Sequence, residues 1–135
     1  MRKALSLISR IHETGNRFII DELNKNGING LAPSHGDILA VLYKYQQATM
    51  KELSYKIHRT KPTVTVLVDK LEKLGFVSRQ KSSEDNRITY ITLTTKGSEF
   101  QPVFKKISKD LNELLYKNLT KDESETLDKL LEKML

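Results

Sequence analysis

The stretch from Thr60 to Gly97 constrains the fold more than any other part of the chain. It opens with Thr60 ahead of Lys61-Pro62, a hydroxyl placed to cap a helix whose proline falls in the first turn. Proline is accepted there because first-turn N–H groups have no intrahelical acceptor. Val64, Leu67, Val68, Leu71 and Leu74 then recur at helical spacing, while Lys61, Thr63, Thr65, Val66, Asp69, Lys70 and Lys73 fall away from that stripe. Gly75 ends the helix as a left-handed cap would. Beyond it, Phe76 to Lys81 and Ile88 to Leu93 are rich in β-branched and aromatic residues and read as two strands. The polar run Ser82-Ser83-Glu84-Asp85-Asn86-Arg87 between them is the extended tip of a hairpin.

Elements on either side follow from the same signals. Leu5, Ile8, Ile11, His12, Gly15, Phe18, Ile19 and Leu23 mark a long amphipathic first helix that ends near Asn26-Gly27, with His12 expected as a satisfied core or interface group. After the loop Gly27-Ile28-Asn29-Gly30, Pro33 starts a second helix whose buried side is Ile38, Leu39, Val41 and Leu42. Thr49 with Glu52 three residues on forms a capping box that opens a short helix, Met50 to Ile57. A three-residue turn then leads to Thr60, so two helices joined by a tight turn precede the hairpin. That order is a winged helix-turn-helix. Thr94 or Thr95 starts the next helix, whose stripe Phe100, Val103, Phe104, Ile107, Leu111, Leu114 and Leu115 runs through Pro102, expected to kink the helix rather than end it. A last helix, Lys121 to Met134, turns Leu127, Leu130, Leu131 and Met134 to one face. The expected class is mainly α with a small β-wing, in one unit of 135 residues.

Charge localises the function further. The net +6 is unremarkable alone, but residues 49–96 carry ten basic and five acidic side chains and so hold five of those charges. A merely solubilising surface would spread them, so a local polyanion footprint is expected. There is no cysteine, which excludes disulfides, thiolate catalysis and thiolate metal sites. No apolar run approaches the ~20 residues of a membrane span, and the N-terminus shows no apolar signal core, so a soluble, cytoplasmic protein is expected. His12, His35 and His58 are far apart, with none three or four residues from another, so no metal site is expected. Neither a nucleophile and base in a recognisable frame nor a phosphate-cradling glycine loop occurs, which argues against an enzyme.

The second helix of a helix-turn-helix lies across the major groove, where short polar side chains of its first turns reach base edges. Thr60, Lys61, Pro62, Thr63, Thr65, Val66 and Lys70 occupy such positions. No arginine or asparagine lies on that face, so direct readout should be modest and DNA shape should matter. Arg87 near the hairpin tip, beside Ser83 and Asn86, suits an adjacent narrow minor groove. Asp85 would repel phosphate, and its expected job is to position Arg87 or a nearby amide. Arg79, Lys81 and Thr49 are expected at phosphates.

The run Lys61-Pro62-Thr63-Val64-Thr65-Val66-Leu67-Val68-Asp69-Lys70-Leu71, the triplet Asp85-Asn86-Arg87 and the segment Leu93-Thr94-Thr95-Lys96-Gly97 together resemble the MarR family of transcription regulators. The wing is similar to that family's Asp-x-Arg signature followed by Leu-Thr-x-x-Gly, and the likeness extends over nearly the whole chain. The resemblance implies a homodimer on double-stranded DNA with a pseudo-palindromic operator. It implies a division into residues 1–30 for dimerisation, 31–97 for the winged helix-turn-helix, and 98–135 for further dimerisation helices. It also implies a small aromatic or anionic effector in a crevice between the dimer helices and the DNA-binding lobe. His12, Phe18, His35 and Gly36 are the residues expected near that crevice. Ala32, where relatives commonly have a hydroxyl cap, and Gly36, where they often have a bulky side chain, depart from the pattern. The functional expectation is a ligand-responsive dimeric repressor, with a DNA-blind protein-interaction module as the alternative.

Overall fold

The computed structural model describes residues 1–135. Seven helices and three short strands follow in the order α1 (Ala4–Lys25), α2 (Pro33–Tyr45), β1 (Gln47–Ala48), α3 (Met50–Ile57), α4 (Lys61–Lys73), β2 (Val77–Lys81), β3 (Thr89–Leu93), α5 (Thr95–Glu99), α6 (Gln101–Tyr116) and α7 (Lys121–Met134). The protein is thus mainly helical with a small antiparallel wing sheet. No helix is long and apolar enough to cross a membrane.

The helix starts are set by side chains that satisfy orphan backbone donors. Thr49 Oγ1 accepts from the Glu52 N–H at 3.1 Å while Glu52 Oε1 accepts from the Thr49 N–H at 3.2 Å. Thr120 and Glu123 repeat that reciprocal box at the start of α7. Thr60 Oγ1 accepts from the Thr63 N–H, which leaves Pro62 in the first turn of α4 without a lost bond. Ala32 has no side-chain oxygen to offer α2. Instead the Ala32 N–H donates to His35 Nδ1 at 2.8 Å, so only the return half of a capping box forms.

Ile38, Leu42, Leu53, Val64, Val68, Leu71 and Ile91 are fully buried and draw α2, α3, α4 and the sheet around one core. Strand order is β1-β3-β2, all antiparallel. The strand β1 was not anticipated: its two residues carry no periodicity to detect. It exists because Ala48 pairs with Ile91 and both are buried, so the edge of β3 gains a partner only in the tertiary fold. The two hairpin strands each begin one residue later than expected, since Phe76 and Ile88 lie outside the ladder.

The expected continuous, kinked helix through Pro102 is replaced by two helices separated at Phe100. Phe100 keeps helical angles, φ −74° and ψ −16°, and its N–H still reaches the Lys96 carbonyl. Pro102 has no N–H to continue the ladder, and it falls in the first turn of α6, where that loss costs nothing. Phe100 meanwhile packs its ring 5.4 Å from that of Phe76.

One junction fastens the recognition helix, the wing and the C-terminal helices together. Gly75, at φ +85°, turns the chain out of α4 through a conformation that favours glycine. Its carbonyl accepts from Thr94 Oγ1, which also accepts from the Gly97 N–H as the cap of α5. Thr94 N–H donates to the Phe76 carbonyl at 3.0 Å. Gly97 lies so close to that carbonyl that a Cβ would collide with backbone, and its own carbonyl accepts from the half-buried Tyr43 hydroxyl at 2.7 Å. Burial pushes the Tyr43 phenol up to about 12, so it stays a donor across physiological pH. Gly97→Ala is therefore expected to lower unfolding stability by about 1–3 kcal/mol through overpacking against a wall that cannot yield, read as a reduced urea midpoint.

Candidate nucleic-acid interface

The turn between α3 and α4 is short and internally tied. His58 closes α3 in the left-handed region, φ +55°, with its N–H on the Ser54 carbonyl. Ser54 Oγ donates to the Arg59 carbonyl at 2.5 Å. These bonds fix how α4 leaves α3, and so which side of α4 faces outward.

That outward side holds Thr60, Lys61, Pro62, Thr65 and Val66, all exposed, with Thr63 half-buried beside them. Val66 is 68% exposed, an unusual place for a branched apolar side chain with a fully buried Val64 two residues earlier. Water gains nothing from it. A flat array of hydroxyls, a lysine and a methyl-bearing residue matches what the major groove offers: acceptors, donors and the thymine methyl. Thr65 Oγ1 donates to the Lys61 carbonyl and Thr63 Oγ1 accepts from Thr60 Oγ1, so both hydroxyls are oriented before anything binds.

Two of the basic residues expected here are engaged elsewhere. Lys70 is half-buried, with Nζ beside Gly30 at 3.2 Å from where a Cβ would stand, and it points back toward the α1–α2 loop and His35. Arg79 donates to Asp69 Oδ1 at 2.7 Å and to Glu72 Oε1, a two-carboxylate clasp from β2 back to α4. That clasp neutralises its charge locally and makes it a brace for the wing. Lys81, Ser83 and Asn86 remain exposed on the hairpin.

The wing tip is built around Asp85. Its Oδ1 accepts from both the backbone N–H and Nε of Arg87 at 3.0 Å, and its Oδ2 accepts from Nη2 at 2.9 Å. Those bonds hold the Asp85 carboxyl below its ordinary range, so it stays ionised and Arg87 stays positioned. The arginine side chain is nonetheless 86% exposed. The pair thus presents a guanidinium that is oriented on one edge and open on the other.

Arg59 is absent from the sequence-derived set, although its place in the turn beside the Thr60 cap was a signal for it. It is exposed, and Nη2 reaches Ser34 Oγ at 3.4 Å, joining the turn to the start of α2. Thr49, half-buried at the start of α3, keeps its place at a helix N-terminus.

The residues expected around a crevice separate. A cavity of about 350 Å³ opens between α1, α2 and α6, lined by Leu23, Leu31, Gly36, Leu39, Phe104 and Ile107 among others. Of the four expected residues only Gly36 lines it. His12 is exposed on α1 and bonded to Asn16, outside the core of the protomer, Phe18 packs against the main core, and His35 lies near the Lys70 charge. The reason for His35 is rotation: it is one residue from Gly36, so its side chain leaves α2 about 100° around the helix from the face on which the Gly36 backbone meets the cavity.

Residues 31–89 match the model of the MarR family. Over 81% of its length the chain is 32% identical to the HTH-type transcriptional regulator PapX of Escherichia coli, spanning 68% of that protein. The chain belongs to the MarR family. It is also 30% identical to the HTH-type transcriptional regulator YdgJ of Bacillus subtilis over 78% of its own length and 64% of that regulator's. A mutant MarR from E. coli complexed with operator DNA superposes with a TM-score of 0.83 at 27% identity, covering 96% of this chain and 91% of the other. The apo form of wild-type MarR from the same organism gives 0.71 at 26% identity, covering 100% and 98%. As a member of a family of transcription regulators, the protein is not an enzyme.

His35 adds a pH dependence to the MarR-family frame. Burial holds its imidazole below the ordinary value of 6.5; the contact of its ring with the Ala32 carbonyl opposes this and the nearby Lys70 charge adds to it. The folded state therefore favours neutral His35, whose Nδ1 lone pair receives the Ala32 N–H. This contribution is present above pH 6.5 and is lost as pH falls below it, because the unfolded chain takes up the proton first. Between about pH 7.5 and about pH 5.5 the urea midpoint should drop more for wild type than for His35→Asn, which keeps an acceptor but does not titrate.

Proposed function

We propose that this protein is a dimeric, sequence-specific DNA-binding repressor, cytoplasmic, released from a pseudo-palindromic operator by a small ligand. The observation that carries the reading is the pairing of two outward features: the Lys61, Thr65 and Val66 face of α4, and an Arg87 guanidinium held by Asp85 yet exposed. In this reading Thr60, Lys61, Pro62, Thr63, Thr65 and Val66 meet the major groove, with Thr49 and Lys81 at phosphates. Arg87, with Ser83 and Asn86, enters the flanking minor groove. Lys70 is left out of the contact set because its ammonium is turned back toward the α1–α2 loop, and Arg79 because its guanidinium is taken up by Asp69 and Glu72. The operator complex of E. coli MarR, with which the chain shares its fold, supports the same docking.

Dimerisation is supported by apolar surface that one protomer cannot cover. Leu5, Ile8 and Ile11 of α1 and Leu130, Leu131 and Met134 of α7 are exposed, and α7 contains no buried residue at all. A monomer would pay to hydrate both faces; pairing α1 and α7 with a second copy covers them and spaces two winged modules about one helical turn, roughly 34 Å, apart. Ligand release is supported by the cavity between α2 and α6, since occupying it would move the lobe that carries α4 relative to the helices that pair.

Footprinting on promoter DNA of the host should reveal a protected palindromic site. Arg87→Ala is expected to weaken operator binding about tenfold and to reduce the log–log salt slope by about 0.9, one phosphate's worth of released counterions. An unchanged slope and affinity would favour a module that binds protein instead. Leu131→Glu is expected to shift the protein toward monomer in sedimentation and to lose operator binding with it.

A further inference from the structure

Residues 49–96 hold three arginines, and the protein's own groups satisfy them unequally. Arg79 is closed between Asp69 and Glu72, and Arg87 is oriented by Asp85. Arg59 forms no ion pair, and its guanidinium makes a single hydrogen bond, from Nη2 to Ser34 Oγ at 3.4 Å. A guanidinium carries several donors in a planar fork, and a neutral hydroxyl at that distance occupies one of them weakly. The side chain is exposed, so most of its capacity faces outward with no protein acceptor.

The base of this side chain is fixed. The Arg59 N–H donates to the Ser54 carbonyl at 3.2 Å and the Arg59 carbonyl accepts from Ser54 Oγ at 2.5 Å, so one residue of α3 holds the Arg59 backbone from both sides. Arg59 immediately precedes Thr60, which caps α4 and begins its outward face. In a helix-turn-helix the N-terminal residues of the second helix meet base edges while the first helix crosses the sugar-phosphate backbone. The turn that joins them therefore stands at the lip of the groove. A cation anchored there meets phosphate before it meets a base, and the bond that Arg59 makes goes to α2 rather than along the base-facing side of α4.

We propose that Arg59 is a DNA-positioning residue: on a duplex its guanidinium leaves Ser34 and takes two oxygens of one backbone phosphate beside the half-site. This rests on the DNA-binding reading above and adds a contact that lies outside both α4 and the wing. The exchange is favourable because charge-assisted, bidentate bonds replace one long neutral bond, and a condensed counterion is released. Ser34 serves to hold the fork ready. The contact carries no base information. It fixes the register of the turn on the duplex, and the two bonds to Ser54 pass that position to α3.

Fluorescence anisotropy of the full-length protein tests this with two duplexes of equal length, the one protected in footprinting and one of mixed sequence, each titrated across a salt series. Arg59→Ala should weaken binding to both duplexes by the same factor, about tenfold at low salt, and lower the log–log salt slope by about 0.9 for each protomer engaged. Arg59→Lys should restore the slope, since the charge is kept, but not the whole affinity, since the fork is lost. Ser34→Ala should leave the slope unchanged. A slope unmoved in Arg59→Ala, or lowered as far by Ser34→Ala as by Arg59→Ala, would overturn the proposal and leave Arg59 as a tie within the protein. A loss confined to the footprinted duplex would overturn it in favour of base reading. Wild-type protein that binds neither duplex would instead sink the DNA-binding reading, and this proposal with it.

Discussion

The close approach of Gly97 to the Phe76 carbonyl is the constraint on which the rest of the molecule depends. At that point the end of the recognition helix, the end of the wing and the start of the C-terminal helices occupy the same few ångströms. Thr94 serves three backbones at once: it caps α5, donates to Gly75 and takes the Phe76 carbonyl with its own N–H. Lys96 adds a bond to the Leu74 carbonyl at 2.7 Å and lies over the Phe76 ring. Because both α4 and β3 enter this knot, the orientation of the wing relative to α4 is inherited by whatever the C-terminal helices pair with. In the proposed dimer, a rigid link here would convert a movement between protomers into a movement of the two elements proposed to read DNA.

Electrostatics then divides the basic segment into parts with different work. Arg87 is oriented by one carboxylate and left open, whereas Arg79 is closed between two. Exposed pairs of this kind contribute little to stability, so their value lies in geometry. The Asp85–Arg87 pair lowers the entropy that Arg87 would lose on entering a groove, and the Arg79 clasp keeps β2 against α4. Lys70 and His35 share the inner side of the lobe, where a second charge is unwelcome and the imidazole stays neutral.

Much of the architecture was legible because its signals are local. Thr49-x-x-Glu52, Thr60 ahead of Pro62, and Gly75 each announce a helix boundary through a single backbone requirement, and α3 and α4 begin, and α4 ends, where those residues say. The class of the molecule and its family could be read from the order of these elements with Asp85, Arg87 and Leu93 to Gly97. What escaped was non-local. The two-residue β1 exists only through Ile91, Arg79 is diverted by Asp69 and Glu72 on another element, and His35 points away from the cavity that Gly36 lines because the sequence does not orient α2. Pro102 was expected to kink one helix; instead it stands in the first turn of a new one, and the break falls at Phe100, whose ring packs on Phe76.

The central claim is that the α4 face and the wing tip approach one duplex together, twice per dimer. The absence of cysteine makes this directly measurable, since a single introduced thiol is a unique attachment point. Iron–EDTA coupled at Ser83→Cys, compared with the same reagent at Lys61→Cys, cleaves DNA where each element lies. The account predicts two symmetric minor-groove cuts flanking the operator from the wing, and cuts inside each half-site from α4. Cleavage from only one of the two positions, or scattered cleavage without symmetry, would contradict it.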